Sequence, residues 1–208
     1  MEIISVVVGP IQTNCYLLCD RDSQLCAIID PGDEPEKILS AIRKSGCTPR
    51  AIYLTHGHFD HHCAVPGLLS AYPDLPVYIH EQDTDPQDTQ AGWGAMFPRL
   101  PQTNQRYYAQ GDRITLGQIT LTVLETPGHT RGSVCLIAQD VIFCGDTLFY
   151  TSCGRTDLAG GSYPQMMNSL VKLSRLEGDY RCLPGHDRET TLSFERNHNP
   201  YMKEALSR

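Results

Sequence analysis

The densest chemistry in the chain lies in Thr55-His56-Gly57-His58-Phe59-Asp60-His61-His62, which follows the apolar run Ala51-Ile52-Tyr53-Leu54. It places His56, His58, Asp60 and His61 in the pattern His-x-His-x-Asp-His. One histidine alone reads as a satisfied core or surface residue. Imidazoles and a carboxylate packed this densely would cost stability through desolvation unless a cation collects them. Three distant stretches repeat one device, in which an apolar run ends in a Gly/Pro turn that presents a ligand-type side chain. They are Thr126-Pro127-Gly128-His129, Phe143-Cys144-Gly145-Asp146 and Leu183-Pro184-Gly185-His186. The candidate ligands are therefore His56, His58, Asp60, His61, His129, Asp146 and His186. Seven is too many for one tetrahedral ion and suits two ions that share a bridging carboxylate and each keep a place for water. Imidazole with carboxylate fits zinc, and also iron or manganese.

These groups need a rigid frame. Residues 3–8, 15–19 and 25–29 are β-branched or apolar runs separated by turn chemistry, Gly9-Pro10 and then Asp20 to Ser23, which predicts consecutive paired strands. Asp30-Pro31-Gly32-Asp33 breaks the third. Glu34 to Ser45 then carries Ile38, Ala41 and Ile42 at helical spacing, with Gly46 as a stop. A short strand over 51–54 delivers the first cluster, a helix is expected over 64–71, and another strand over 77–79. From Asp83 to Gln105 the chain is polar and turn-rich and holds Trp93 and Phe97; a stretch of that length is either a solvated connection or a lid over the site. Strands resume over 113–116, 119–125, 133–138 and 141–143. Ser162-x-x-Gln165 matches a capping box ahead of the helical stripe Tyr163, Met166, Met167, Leu170 and Leu173. A last strand over 180–183 and a helix over 199–206 complete the pattern. Read from the residues alone, this is a layered fold of two mixed sheets covered by helices.

At 208 residues the length suits a single domain, 1–208. A formal charge of −7 with no Lys/Arg-rich run argues against a nucleic-acid partner. The N-terminal run is short and opens on Glu2, unlike a signal peptide, and no stretch approaches the roughly 18 apolar residues of a membrane span. A cytoplasmic protein without membrane association is expected. Nine cysteines, an odd number without a close Cys-x-x-Cys pair, sit largely inside apolar runs and read as reduced core thiols.

With these motifs in place the chain resembles the metallo-β-lactamase superfamily, and within it the glyoxalase II-like hydrolases. The resemblance rests on Gln12 to Tyr16, Ile29-Asp30-Pro31-Gly32, Thr55 to His61, Thr126 to Ser133, Gly145 to Phe149, Gly154-Arg155-Thr156-Asp157 and Leu183 to His186. It implies an αββα sandwich of two mixed β-sheets flanked by helices, with the site where the sheets meet. It further implies that His56, His58 and His129 hold one metal, Asp60, His61 and His186 a second, and that Asp146 bridges them. The most fitting cofactors would be two zinc ions, with iron or manganese open. The activity implied is hydrolysis of a small thioester, an S-acylglutathione such as S-lactoylglutathione, by attack of metal-bound hydroxide, with Asp60 orienting the nucleophile or taking up its proton. Arg155 stands where such enzymes place a basic residue near the substrate, and is otherwise a structural ion pair.

The chain looks like the short bacterial members, without the C-terminal helical domain of larger glyoxalase II enzymes. Alternatives are a mononuclear-iron persulfide dioxygenase and a non-catalytic metal-binding or redox module. A β-lactamase is disfavoured because those enzymes often place cysteine where Asp146 stands. His62 is read as a core, rim or supporting residue, Asp187 as a possible orienter of His186, and His80 and His198 as structural or surface groups.

Overall fold

The computed structural model describes residues 1–84, 98–102 and 104–208. A first sheet is built from β1 (Glu2–Val8), β2 (Thr13–Asp20), β3 (Leu25–Ile29), β4 (Thr48–Tyr53), β5 (Val77–Ile79) and β6 (Gln105–Tyr107), in that spatial order. Helix α1 (Pro35–Ser45) connects β3 to β4, and α2 (Val65–Ala71) connects β4 to β5. The first two pairings are antiparallel, joined by tight turns. The next three are parallel, the first two of them spanned by the crossovers through α1 and α2. The second sheet contains β7 (Arg113–Leu116), β8 (Ile119–Glu125), β9 (Val134–Ala138), β10 (Val141–Gly145), β13 (Arg181–Pro184) and β14 (Thr190–Thr191). Within it β10 and β13 are parallel and the other neighbours antiparallel, so both sheets are mixed. Between β10 and β13 come the small hairpin β11 (Leu148–Phe149) and β12 (Ser152–Cys153) and the helix α3 (Tyr163–Ser174). Helices α4 (Leu192–His198) and α5 (Pro200–Ser207) follow β14.

The layers follow from the two-residue side-chain period of a strand. Along β2, Cys15, Leu17 and Cys19 point to an outer core shared with α1 and α2, while Tyr16 and Leu18 point to the core between the sheets. Every residue of β2 is buried for that reason. In the second sheet Val141 and Phe143 of β10 enter the middle core, and Ile142 and Cys144 enter a third core beneath α3, α4 and α5. Helix, sheet, sheet and helix thus stack as an αββα sandwich. The nine cysteines are free thiols, seven of them buried, and they act as small apolar residues in these layers. Among the described residues no helix is long and apolar enough to cross a membrane.

The capping box at Ser162 is not formed, the helix expected over 199–206 is present with a further helix before it, and two short strand pairs add to the expected pattern. The Ser162 side chain makes no capping bond to α3, and Pro164 supplies no N–H of the kind such a cap serves. The C-terminal segment forms two helices, because Asn199 ends α4 and its Oδ1 accepts from Tyr201 N and Met202 N at the start of α5. The β11–β12 hairpin and β14 are two-residue strands, too short to leave an alternation in the sequence. Of the 83–105 stretch, Asp83 closes a 3-10 turn and 105 opens β6, whereas the lid reading centred on Trp93 and Phe97 lies outside the described residues.

Candidate metal centre

Each ligand-type side chain sits just beyond the C-terminal end of a strand. β4 runs into His56, His58, Asp60 and His61, the last two in a 3-10 turn over Phe59–His61. From the other sheet, β8 leads to His129, β10 to Asp146 and β13 to His186. The strand ends are drawn together by backbone and side-chain bonds between the sheets. Val134 N donates to Thr55 O at 2.8 Å, and Asn14 Nδ2 and Tyr16 Oη donate to Pro184 O at 3.0 and 2.7 Å. Glycine makes the approach possible at two of the turns. A Cβ on Gly185 would lie 2.3 Å from Asp146 Oδ1 and 2.6 Å from His61 Cε1, and one on Gly145, at φ +47°, would lie 2.2 Å from Thr55 Oγ1.

The side chains converge as two donor sets. In the first, His58 Nδ1 is 3.1 Å from His56 Nε2 and 2.8 Å from His129 Nε2. In the second, His186 Nε2 is 3.3 Å from His61 Nε2 and 3.2 Å from Asp60 Oδ2, with His61 Nε2 and Asp60 Oδ2 3.7 Å apart. Asp146 stands between them: Oδ1 is 3.5 Å from His61 Nε2, and Oδ2 is 3.4 Å from His129 Nε2 and 3.7 Å from His186 Nε2. Donors bound at about 2.0–2.1 Å around a tetrahedral ion stand roughly 3.3 Å from one another, so these spacings suit divalent metal, and the donors also group a third way, as His56, His61 and Asp146. Among the described residues the buried side-chain polar atoms without a hydrogen-bond partner are His58 Nε2, His61 Nδ1, His62 Nδ1 and Asp146 Oδ1, and three of the four belong to the candidate ligands, which fits a cation as the partner of Asp146 Oδ1.

The outer ring nitrogens fix the tautomers. Thr55 Oγ1 donates to Asp30 Oδ2 at 2.6 Å, so it accepts from His56 Nδ1 at 3.2 Å and leaves His56 Nε2 as a lone pair facing the centre. His129 Nδ1 donates to Arg155 O at 2.8 Å, and His186 Nδ1 to Ile11 O at 3.2 Å, with the same result. His61 Nδ1 lies 3.1 Å from Asp30 Oδ2, at ion-pair distance though off the line of a hydrogen bond. Asp30 thereby supports ligands of both sets, and its two oxygens are further held by Thr55 N at 2.7 Å and Thr55 Oγ1.

Electrostatics separates the two sets in the metal-free chain. Burial, with the neighbouring imidazoles, holds His56 well below its ordinary range and pushes His58 down to about 3. These rings are neutral and ready to bind a cation. Burial also acts downward on His61, but the carboxylates of Asp146, Asp60 and Asp30 outweigh it and push the ring up to about 10. Burial acts upward on Asp60, yet His61 and His186 hold the carboxyl well below the usual carboxylate range. Asp60 is an anion at any neutral pH.

The remaining sequence candidates divide. The Arg155 guanidinium forms a paired contact with Asp157, Nε and Nη2 each 2.7 Å from a carboxylate oxygen, on a side chain 61% exposed; such a pair is weak enough to open for a substrate. Arg155 also lines the metal cleft, so both of its readings have a geometric basis, and its carbonyl has the additional role of orienting His129. His62 is buried and pushed down by burial to about 4, with Nδ1 unpartnered, and it is not drawn into the two donor sets. Asp187 does not orient His186: that ring bonds to Ile11 O, while Asp187 O receives Asn14 Nδ2 at 2.9 Å. His80 pairs with Glu125 at 3.1 Å, and His198 stacks on Phe194. Sequence reasoning passed over Asp83, a fully enclosed carboxylate that accepts from Gly57 N, Thr130 Oγ1 and Gly132 N at 2.9, 2.6 and 2.7 Å. Its one signal was an acidic residue closing a strand-end segment, which is too common to single out.

The donor sets open onto a cleft of about 510 Å³ walled by Ile11, Phe59, Phe149, Arg155 and Leu158. Residues 8–186, which include all seven candidate ligands, match the metallo-beta-lactamase superfamily. The probable metallo-hydrolase YqgX of Bacillus subtilis is 37% identical over 94% of this chain and 94% of its own. A hydroxyacylglutathione hydrolase of Erwinia tasmaniensis is 39% identical over 88% of this chain, which spans 64% of that protein. Among solved structures, the BLEG-1 B3 metallo-beta-lactamase superposes with a TM-score of 0.87 at 34% identity over 97% of this chain and 99% of that one. TTHA1623 in a di-iron-bound form gives 0.84 at 38% identity over 95% and 99%. With an αββα sandwich whose strand ends gather paired His/Asp donor sets, and with the family match running from β1 to His186, the chain belongs to the metallo-beta-lactamase superfamily.

Proposed function

We propose that the protein is a dinuclear-metal hydrolase that cleaves a small thioester, of the type S-acylglutathione, in the manner of glyoxalase II. The observation that carries the reading is the placement of Asp146, whose two oxygens reach His61 on one side and His129 on the other at 3.5 and 3.4 Å. His56, His58 and His129 would hold one ion, Asp60, His61 and His186 the other, with Asp146 shared. Zinc suits this imidazole and carboxylate set, and iron is a second candidate given the di-iron form of TTHA1623. When bound, two such ions supply a nucleophile from water at neutral pH and polarise the scissile carbonyl.

The chain's own residues do the rest. Asp60, anionic and 16% exposed on the cleft wall, is placed to orient the attacking water or to take up its proton. A thiolate leaves without a strong general acid, which suits a cleft whose histidines all face the donor sets. Arg155 can exchange Asp157 for a carboxylate of the thiol half. The hydroxyacylglutathione hydrolase similarity supports glutathione as that half.

The test is elemental analysis of metal per chain paired with an assay on S-lactoylglutathione. Two ions per chain and steady thioester hydrolysis are expected. A single iron with oxygen consumption on glutathione persulfide, or β-lactam turnover exceeding thioester turnover, would overturn the proposal.

A further inference from the structure

A second cavity adjoins the metal cleft and differs from it in chemistry. It encloses about 230 Å³ between the β1–β2 turn and the turn that carries Asp60, and its apolar wall is made by Val8, Pro10, Ile11, Phe59, Cys63 and Pro98. Three residues, Ile11, Phe59 and Asp60, line both spaces, so the cavity borders the cleft at a candidate metal ligand and is placed to act as an arm of it. Ile11 is 49% exposed, one of few large apolar side chains left in that state among the described residues, and it stands at the junction. Its carbonyl meanwhile holds His186 Nδ1. The position of this turn is therefore tied to the metal centre, and the apolar wall comes with it. Thr13 and Asp33 are the other polar side chains on the lining, and neither is basic.

We propose that this arm receives the acyl half of the substrate and selects linear, uncharged aliphatic acyl groups. The proposal rests on the thioesterase reading above and adds the substrate class. A carbonyl placed at the donor sets beside Asp60 has two directions open to its substituents. One runs along the cleft toward Arg155, where a charged thiol half finds a guanidinium. The other runs past Ile11 and Phe59 into the apolar arm. An alkyl chain gains there from leaving water. A terminal carboxylate carried into the arm, away from the donor sets, would face Asp33 with no basic side chain on the lining to meet it. A 2-hydroxyl would be taken from water beside apolar side chains, which costs free energy unless it is bonded. On this view lactoyl thioesters are turned over but are not the best substrates.

The experiment compares acetyl, butyryl, hexanoyl, succinyl and lactoyl thioesters of glutathione on the fully metallated protein. Burying one methylene is worth about 0.8 kcal/mol, or roughly a factor of 4. The expected kcat/KM therefore rises about 4-fold per methylene from acetyl to hexanoyl, with succinyl well below butyryl. Two variants locate the effect. Cys63→Leu fills the arm, and Ile11→Ala removes its wall at an exposed position that does not carry folding. Each should lower the hexanoyl-to-acetyl ratio of kcat/KM by at least 5-fold, read within the same variant so that changes in metal loading cancel. A flat chain-length profile, or unchanged ratios in both variants, overturns the acyl arm while leaving the hydrolase reading intact. Absence of any thioester hydrolysis by protein with two ions per chain overturns both.

Discussion

Among the described residues Asp146 is the carboxylate whose two oxygens reach ligands of both donor sets, and its burial without a hydrogen-bond partner at Oδ1 favours a cation there. Replacing it by alanine should leave at most one ion per chain and lower kcat/KM by about 10³-fold, the upper end of what a single oxyanion contact contributes. Elemental analysis and the thioester assay read the two effects separately; a variant that keeps two ions would refute the bridging role. His61 supports a pH prediction. Burial opposes its charge, but Asp146, Asp60 and Asp30 push it up to about 10, so the metal-free chain carries a proton there at pH 7. A raised pKa means that the ring's contribution to the stability of the metal-free fold is complete below its unfolded value of 6.5 and is lost as the pH rises through about 10. An ion at the second set must expel that proton. Affinity should then increase with pH across this window, with at least one proton released per ion near pH 7.5, as calorimetry in two buffers of different ionisation heat would measure. Binding without proton release would contradict the charged His61.

Among the elements, the turns after β5 and β8 matter as much as the ligand loops. Asp83, in the 3-10 turn Glu81–Asp83, ties Gly57, between two ligands, to Thr130 and Gly132, just beyond a third. It therefore fixes the spacing of His58 and His129 without touching either. Asp83→Asn keeps the shape but brings an NH2 group against N–H and O–H donors. The first donor set should lose metal affinity by about 10–100-fold, in line with other outer supports, and the second should change little. Competition with a chelator measures this, and equal loss from both sets would assign Asp83 a general structural role. The same element explains what could be read in the sequence. The strands were legible because apolar runs alternate with turn residues, and the ligands because each follows a strand at a Gly turn. Asp83, Asp30 in its supporting role and the carbonyls of Ile11 and Arg155 were not. A carbonyl has no side-chain signature, and Ile11 meets His186 across 175 positions of chain. The capping box predicted at Ser162 and Gln165 is absent, since the Ser162 side chain makes no bond to the first turn of α3.

At the scale of the molecule, the two sheets divide the ligands between them. His56, His58, Asp60 and His61 follow β4 of the first sheet, and His129, Asp146 and His186 follow strands of the second. Ions bound here would act as cross-links at one edge of the sandwich. The three apolar layers do not depend on that edge: the middle core is filled by Leu18, Ile29, Leu121, Leu136 and Phe143, and the outer cores lie beneath helices on either side. Metal should therefore stabilise the protein without being required for its folding, unlike small metal-dependent domains. Free metal at 1,000 times its Kd adds about 4 kcal/mol per site, and for a chain of this size each kcal/mol moves Tm by roughly 2–4 °C. Chelation should then lower Tm by about 8–16 °C for each site emptied, while far- and near-ultraviolet circular dichroism at 25 °C stays native. Loss of the near-ultraviolet signal on chelation would mean that the donor sets, rather than the layers, hold the two sheets together.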